Sequence, residues 1–292
     1  MSQAGADSPH LDTRQRKQAA ERTPPGPLVI HEIVREQGKI ELERPFSGLA
    51  WSGLAAGLSI GFSFLAQAYL HAGLPDAPWR RLVTGFGYSV GFLIVILGRQ
   101  QLFTETTLTA LIPTLTRPSL ANLLGTLRVW AIVLATNLIG TLVFAAIAAR
   151  PGVFQPEALA AMEELSAHLL AQPFWQVVIT GGSAGWLIGL MVWLLPASGA
   201  ARPLIIILLT YVIALCQFPH IIAGSAEAAF GVFAGHASVG DYLFRFLLPV
   251  LIGNAFGGTA LAALLSHAQV AEELKETGPE EQDRPASGAG RR

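Results

Sequence analysis

Hydrophobic residues are concentrated in six long stretches of the chain, and polar segments separate these stretches. Four of the stretches are close to the length of about 20 residues that a helix needs to cross a bilayer, and the second and fifth are longer. The pattern therefore predicts an all-α integral membrane protein with six transmembrane helices. The stretches are residues 46–71, 82–115, 124–149, 174–197, 203–236 and 243–266.

The second and fifth stretches are polar near their middles, where an apolar run gives way to Arg-Gln-Gln at 99–101 and to Gln-Phe-Pro-His at 217–220. Non-helical backbone inside a bilayer is tolerated only where protein or a water-filled cavity satisfies it. Pro219 removes a backbone donor and Gly224 loosens the chain. Each stretch is therefore predicted to be two half-helices joined by a polar break.

The first three stretches and the last three carry similar motifs in the same order. Each half has three crossings, an odd number, so the second half must enter the membrane inverted. Paired broken helices in an inverted repeat place the transport site at the interface of the repeats. The matched motifs are Gly57 to Gly61 with Gly185 to Gly189, Gln101-Leu102-Phe103-Thr104 with Gln217-Phe218-Pro219-His220, and Asn137 with Asn254.

Charge is almost absent from the middle of the chain: no lysine occurs between Lys39 and Lys275, and charged residues are 13% of the sequence. Soluble domains carry roughly 25% charged residues, so this composition indicates a lipid-facing bundle. The net charge of −1 argues against nucleic acid as a partner. Cys216 is the single cysteine, which excludes an internal disulfide.

Both ends of the chain are polar, and basic residues collect on the side that the two termini share. The positive-inside rule then places both termini in the cytoplasm. The predicted location is the inner (plasma) membrane. The predicted segments are a disordered tail at 1–27, an amphipathic interfacial segment at 28–45, a channel domain at 46–268 and a disordered tail at 269–292.

His220 is the first candidate for chemistry, because an ionisable group buried in a membrane is costly and tends to be functional. A histidine there suits either a proton donor or a neutral hydrogen-bonding post. In the first break, Thr104 and Gln101 can donate hydrogen bonds to an anion, or they satisfy the exposed backbone of the break.

Three charged side chains also lie in the breaks, namely Arg99, Glu105 and Glu227. Arg99 and Glu105 are six residues apart and could pair, so a structural ion pair and a functional charge are both open interpretations. Hydrophobic constrictions gate pores by excluding water, although ordinary packing explains the same residues. The constriction candidates are Tyr88 and Phe103, and Leu102 is assigned with them to the substrate pathway.

Motifs of enzymes and cofactor sites are absent from the sequence: it has no phosphate-binding loop, no dinucleotide glycine motif followed by an acid and no Cys/His metal spacing. We therefore expect neither an enzyme nor a bound cofactor or metal.

Taken together, these motifs resemble the formate/nitrite transporter family over about residues 30–268. The family's first break has an acidic residue followed by Leu-Phe-Thr, and this chain has Gln101-Leu102-Phe103-Thr104 there. The other matches are Gly185 to Trp193 in the fourth stretch, Phe218 to Gly224 in the fifth, and Asn254 with Gly257-Gly258 in the last.

The resemblance implies an aquaporin-like protomer in a homopentamer with one pore per protomer, surrounded by lipid. It implies a small monovalent weak-acid anion as substrate, with His220 as the central group. The chain departs from the family at Gln101, which replaces the acid, and at Gly224, which replaces an asparagine. The acid's lysine partner is also missing, and Arg99 is a new charge, which indicates a divergent branch.

The leading hypothesis is a channel or transporter for a formate- or nitrite-like anion, coupled to a proton through His220. The first alternative is a pore for a neutral solute or a cation, because paired carboxylates such as Glu105 and Glu227 suit cations. The second is a non-conducting membrane sensor or scaffold of the same fold, with the charged tails as its interaction elements.

Overall fold

The computed structural model describes residues 8–276, and every regular element in that range is a helix. Residues 1–7 and 277–292, parts of the two predicted tails, lie outside the described residues. Helix α1 (Thr13–Arg22) lies inside the segment predicted to be disordered. Asp12 and Gln15 explain its start, because each side chain accepts a hydrogen bond from the other's backbone N–H at 2.8 and 3.0 Å, a capping box.

Helix α2 (Pro27–Glu43) occupies the segment predicted to be amphipathic and begins with Pro27, whose missing N–H costs nothing at a first helical position. The remaining helices follow in chain order. They are α3 (Phe46–Gly73), α4 (Arg80–Leu97), α5 (Phe103–Thr109), α6 (Ile112–Thr116), α7 (Leu120–Ala148), α8 (Pro156–Leu170), α9 (Phe174–Leu194), α10 (Arg202–Leu215), α11 (Ala223–Phe233), α12 (Leu248–Phe256) and α13 (Leu265–Glu276).

Six helical units run from one side of the molecule to the other, which confirms the predicted all-α membrane fold. Five of them include a helix long and apolar enough to span a bilayer, and α10 is shorter because it ends at a break. The last unit is continuous from residue 241 to residue 276 and includes two π-helical segments, Asp241–Leu247 and Gly257–Leu264. It extends eight residues beyond the predicted boundary at residue 268.

Both predicted breaks are present, between α4 and α5 and between α10 and α11. The backbone leaves each first half-helix through a residue in the left-handed region, Arg99 at φ 51° and Gln217 at φ 54°. These are the two non-glycine residues with positive φ in the described range. Such a conformation costs an L-residue roughly 1–2 kcal/mol, and its use at both breaks identifies them as matched turns.

Two buried asparagines hold the breaks in equivalent ways. Asn137 accepts a hydrogen bond from Phe103 N–H at 2.9 Å and donates to Gln101 C=O at 2.9 Å. Asn254 accepts from Ile221 N–H at 2.8 Å and donates to Pro219 C=O at 2.9 Å. The two amides also donate to equivalent carbonyls of the first helix in each half, at 2.7 and 2.9 Å. Those carbonyls belong to Gly53 and Gly181.

These contacts correct the pairing of the two break motifs. The sequence comparison aligned Gln101 with Gln217, whereas the structure pairs Gln101 with Pro219 and Arg99 with Gln217. Leu102, rather than Thr104, is then the counterpart of His220. The two-residue shift arose because the glutamines were matched by identity, while the turns are matched by backbone conformation and by the asparagine contacts.

Glycines allow the helices of each half to cross closely. A Cβ on Gly57 would collide with the Asn137 carbonyl oxygen, and a Cβ on Gly185 with the Asn254 carbonyl oxygen. Helix α3 therefore packs on α7, and α9 packs on α12, through the same pair of positions. The close-packing role predicted for these glycines agrees with this geometry.

The repeat also includes a helix before each set of crossings. Helix α2 precedes α3 and packs on α5 and α9, whereas α8 precedes α9 and packs on α11 and α3. Proline begins both helices, and Pro45 and Pro173 cap the helices that follow. We call the side formed by α2, α6 and α13 the terminal face, and the opposite side, covered by α8, the α8 face.

Candidate functional site

A cavity of about 490 Å³ enters the bundle from the α8 face, and we call it the vestibule. Its mouth includes Asp76, which is 92% exposed, and its floor includes His220, which is 1% exposed. Glu227 and Tyr88 lie on its walls. The mouth also contains cationic and imidazole side chains, which are Arg80, Arg81, His71 and His168.

His220 meets the first break at the floor of the vestibule. Its Nε2 lies 2.7 Å from Thr104 Oγ1, and both side chains are buried. Its Nδ1 accepts the backbone N–H groups of Ile222 at 3.3 Å and Ala223 at 3.2 Å. Because Nδ1 accepts twice, the ring proton is on Nε2, and a neutral imidazole donates to Thr104. The structure thus brings together two residues that the sequence placed in separate breaks.

Aromatic rings close the space beside His220. The Phe92 ring packs edge-to-face on the imidazole with 5.0 Å between centroids, and the Tyr88 ring lies 5.1 Å from that of Phe92. Tyr88 also lies on the vestibule wall. Phe92 was missed by the sequence reasoning because nothing distinguishes it from the other apolar residues of α4.

The other constriction candidate, Phe103, and the pathway candidate Leu102 are more deeply enclosed. Leu102 has no exposed surface, and Phe103 is 3% exposed with its ring facing Trp130 at 6.4 Å. Neither lines the vestibule. The backbone N–H of Phe103 donates to Asn137 and so helps to hold the break, and the Phe103 ring packs between α5 and α7.

The three break charges are not paired with one another. Arg99 is exposed, and its side chain has no ion-pair partner among the described residues. Glu105 is part-buried and interacts electrostatically with Glu41 of α2 instead. The possible pair between Arg99 and Glu105 is therefore not formed. Gln217, the counterpart of Arg99 in the other repeat, lines the vestibule.

Gln101 is held by its backbone, since its N–H donates to Ser52 Oγ at 3.0 Å. Its side-chain amide acts on the Glu41 carboxyl and opposes the rise in the pKa of that carboxyl. Glu41 also accepts a hydrogen bond from Thr109 Oγ1 at 2.6 Å. Sequence reasoning missed Glu41, because its only signal is an acidic residue near the end of an amphipathic helix.

Gly224 is required for packing more than for flexibility. It lies in the first turn of α11, where its N–H donates to His220 C=O at 2.8 Å. A Cβ at this position would lie 2.7 Å from the Phe246 ring. This close contact explains why a glycine, and not a larger residue, follows the second break in this chain.

Known proteins match this chain over most of its length. Residues 28–268 match the model of the family described as formate/nitrite transporter. The inner membrane protein YfdC of Escherichia coli (strain K12) is 39% identical over 254 residues, which are 87% of this chain and 82% of that protein. The formate channel FocA of Haemophilus influenzae is 25% identical over 246 residues, which are 74% of this chain and 84% of that protein.

Solved structures share the fold. One described as an FNT family ion channel aligns with a TM-score of 0.71 at 19% identity, covering 83% of this chain and 98% of that one. A pentameric formate channel with formate bound aligns with a TM-score of 0.65 at 21% identity, covering 77% of this chain and 98% of that one. The matched segment, the paired breaks and these relatives together establish that the chain is a membrane protein belonging to the formate/nitrite transporter family.

Proposed function

We propose that the chain forms a channel for a small monovalent weak-acid anion such as formate or nitrite. The observation that carries this proposal is the His220–Thr104 pair at the floor of the vestibule, where the two breaks meet. Because Nε2 donates to Thr104 Oγ1, the hydroxyl hydrogen of Thr104 is free, and the pair is suited to donate a hydrogen bond to one oxygen of a small anion. The relatives named as formate channels and transporters support the same substrate class.

Passage requires the anion to lose its charge at the centre. A full charge at mid-membrane costs about 3 kcal/mol or more, and protonation of a weak acid removes most of that cost. His220 donates through Nε2 and offers no free lone pair, because Nδ1 is occupied by two backbone donors. His220 then acts as a neutral hydrogen-bonding post that receives the protonated substrate and releases it on the other side.

We further propose a homopentamer in the inner membrane with both termini in the cytoplasm. Large apolar side chains are exposed on the outside of the single protomer, which fits contact with lipid and with neighbouring protomers. Examples on different helices are Trp51, Phe86, Ile179 and Leu204. A structural neighbour described as pentameric and a relative described as an inner membrane protein support this assembly and location.

The test is uptake of labelled formate, nitrite and acetate into proteoliposomes, with and without a pH gradient. We expect uptake that an inward proton gradient accelerates, and a loss of about tenfold or more for His220→Ala, because the central donor is removed. His236→Ala on the exposed loop after α11 is the matched control and should behave like the wild type. Unchanged fluxes in the His220 variant would contradict the central role of this residue.

A second candidate, a pore for a cation or a neutral solute, is favoured by the Glu227 carboxyl on the vestibule wall. A carboxylate on the pathway attracts cations and opposes anions. Planar-bilayer reversal potentials in asymmetric sodium formate distinguish the candidates. A reversal potential close to that of sodium would support the second candidate, and one close to that of formate would support the first.

A further inference from the structure

The proton that neutralises the substrate must come from a group other than His220. Both ring nitrogens of His220 are engaged, Nε2 with Thr104 and Nδ1 with two backbone amides. Proton exchange with the anion therefore has to occur before the substrate reaches the centre, at a titratable group near each mouth of the pathway.

On the α8 face, Glu227 meets this requirement because its carboxyl lines the vestibule above His220. The repeat gives the counterpart of Glu227 at the other mouth. The pairings Gln101 with Pro219 and Phe103 with Ile221 make Thr109 the equivalent of Glu227. Thr109 has no carboxyl of its own, but its Oγ1 donates to the Glu41 carboxylate at 2.6 Å. Helix α2 thus supplies a carboxyl at the equivalent position.

The surroundings of Glu41 suit both the charged and the neutral carboxyl. The Gln101 amide opposes the rise in the pKa of Glu41, and Gln101 Oε1 is buried without a hydrogen-bond partner among the described residues. The amide can therefore donate through Nε2 to a carboxylate or, after a flip, accept through Oε1 from a carboxylic acid. An amide that serves both forms is what a group that repeatedly gains and loses a proton needs.

We infer that Glu41 is the proton-exchanging carboxyl at the terminal-face mouth of the channel, the functional counterpart of Glu227 at the α8-face mouth. This inference rests on the proposed function. In the transfer, the O–H bond of Glu41 breaks and an O–H bond forms on the substrate oxygen, leaving a carboxylate on Glu41. The neutral acid passes His220, and its proton goes to the Glu227 carboxylate. Glu227 then releases this proton to water in the vestibule, and water at the terminal face returns a proton to Glu41.

The charges around Glu41 are compatible with exchange near neutral pH. Burial raises the pKa of Glu41 to about 7, and the positive charge of Arg44 opposes this rise. Glu105 faces it from α5. Arg128 of α7 is held by the carbonyl oxygens of Leu42 and Arg44, and His267 of α13 lies at the far end of α2 beside His31. Helices α6 and α9, which also pack on α2, contain no charged residue.

The test compares formate flux between pH 6 and pH 8 in proteoliposomes of the full chain, after subtraction of empty liposomes. Wild-type flux should fall as the pH rises through about 7, because Glu41 loses its proton. Glu41→Gln should be about tenfold slower at pH 6 and nearly independent of pH, since acid–base groups typically contribute at least that much. Glu41→Asp, which keeps the carboxyl, should retain most of the pH response. Glu36→Gln, an exposed carboxyl on the same helix, should match the wild type.

A Glu41→Gln protein with the wild-type pH profile would overturn the inference. So would a Glu41→Asp protein that behaves like Glu41→Gln, because this would indicate packing in place of proton exchange. Gel filtration and thermal unfolding establish that each variant is folded. A wild type that carries no weak-acid anion would instead contradict the proposed function, so the two failures are distinguishable.

Discussion

At the scale of single residues, the two breaks depend on a pair of asparagine side chains. Each amide offers one acceptor and two donor hydrogens, and each satisfies one buried N–H and two buried carbonyls. No other neutral side chain of this size offers two donor hydrogens together with an acceptor, and a charged replacement would be costly at this depth. Asn137 and Asn254 are therefore what allow an irregular backbone to exist inside the bundle.

We expect Asn254→Ala to lower the free energy of unfolding by about 2–4 kcal/mol, because it leaves buried backbone groups without partners. Asn137→Ala should have a similar effect. Asn122→Ala is the control, since Asn122 is partly exposed near the start of α7 and its amide makes one hydrogen bond, to the Arg117 carbonyl at 2.9 Å. Thermal unfolding in detergent measures the difference. Equal melting temperatures of the Asn254 and Asn122 variants would contradict the role of Asn254 in holding the second break.

At the scale of elements, α2 has titratable groups with opposite responses at its two ends. Near its start, His31 is fully buried against His267 and Trp193, and burial lowers its pKa below the usual value. Near its end, burial raises the pKa of Glu41 to about 7. The packing of the start of α2 against α9 and α13 weakens as the pH falls below about 6.5, because His31 gains a proton when it is released from this packing. The packing of the end of α2 against the bundle strengthens as the pH falls through about 7, because the buried Glu41 carboxyl becomes neutral.

Peptide-resolved hydrogen exchange at pH 5.5 and pH 8, corrected for intrinsic rates, should detect this opposition. We expect amides near residue 31 to be less protected at the lower pH and amides near residue 41 to be more protected. His31→Gln should remove the first response, and His10→Gln, an exposed histidine outside α2, should leave it unchanged. A uniform change along α2 would contradict separate control of the two ends.

Helix crossings give a second prediction at this scale. Gly185 and Gly182 lie on the same helix, but a Cβ on Gly185 collides with the Asn254 backbone, whereas one on Gly182 finds its nearest atom at 3.7 Å. We expect Gly185→Ala to destabilise the protein by about 1–3 kcal/mol through overpacking. Gly182→Ala should be neutral or slightly stabilising through helix propensity. Thermal unfolding of both variants provides the comparison, and equal effects would contradict the crossing geometry.

At the scale of the whole molecule, the inverted repeat requires the terminal face and the α8 face to lie on opposite sides of the membrane. The chain offers a clean probe because Cys216 is its only cysteine and can be replaced by serine. In that background, we expect Glu157→Cys on α8 to react with an impermeant maleimide in intact cells. Glu36→Cys on α2 should react only after the inner membrane is permeabilised. Reaction of both in intact cells would contradict the proposed orientation.

Composition and hydropathy predicted the six units, the two breaks and the polar residues that lie in the breaks. This was possible because a lipid environment requires long apolar stretches, against which polar residues stand out. The register between the breaks was wrong by two residues, since turns at Arg99 and Gln217 are matched by conformation and not by residue type. Asp12 and Gln15 have the spacing of a capping box and so indicate the start of α1, but this signal was missed because the surrounding segment is polar. The position of Glu41 could not be predicted, because it depends on tertiary docking of α2 beneath the first break.

The equivalence of α2 and α8 changes where the functional unit begins. Hydropathy suggests that the chain could be shortened to residue 45 without loss, since the first spanning helix starts there. The repeat assigns α2 to the first half as firmly as α8 belongs to the second. Removing residues 1–26 leaves two complete halves. Removing residues 1–44 leaves the first half without α2, the helix that packs beneath its break. A trimmed form for crystallisation or biosensor design should therefore begin no later than Pro27.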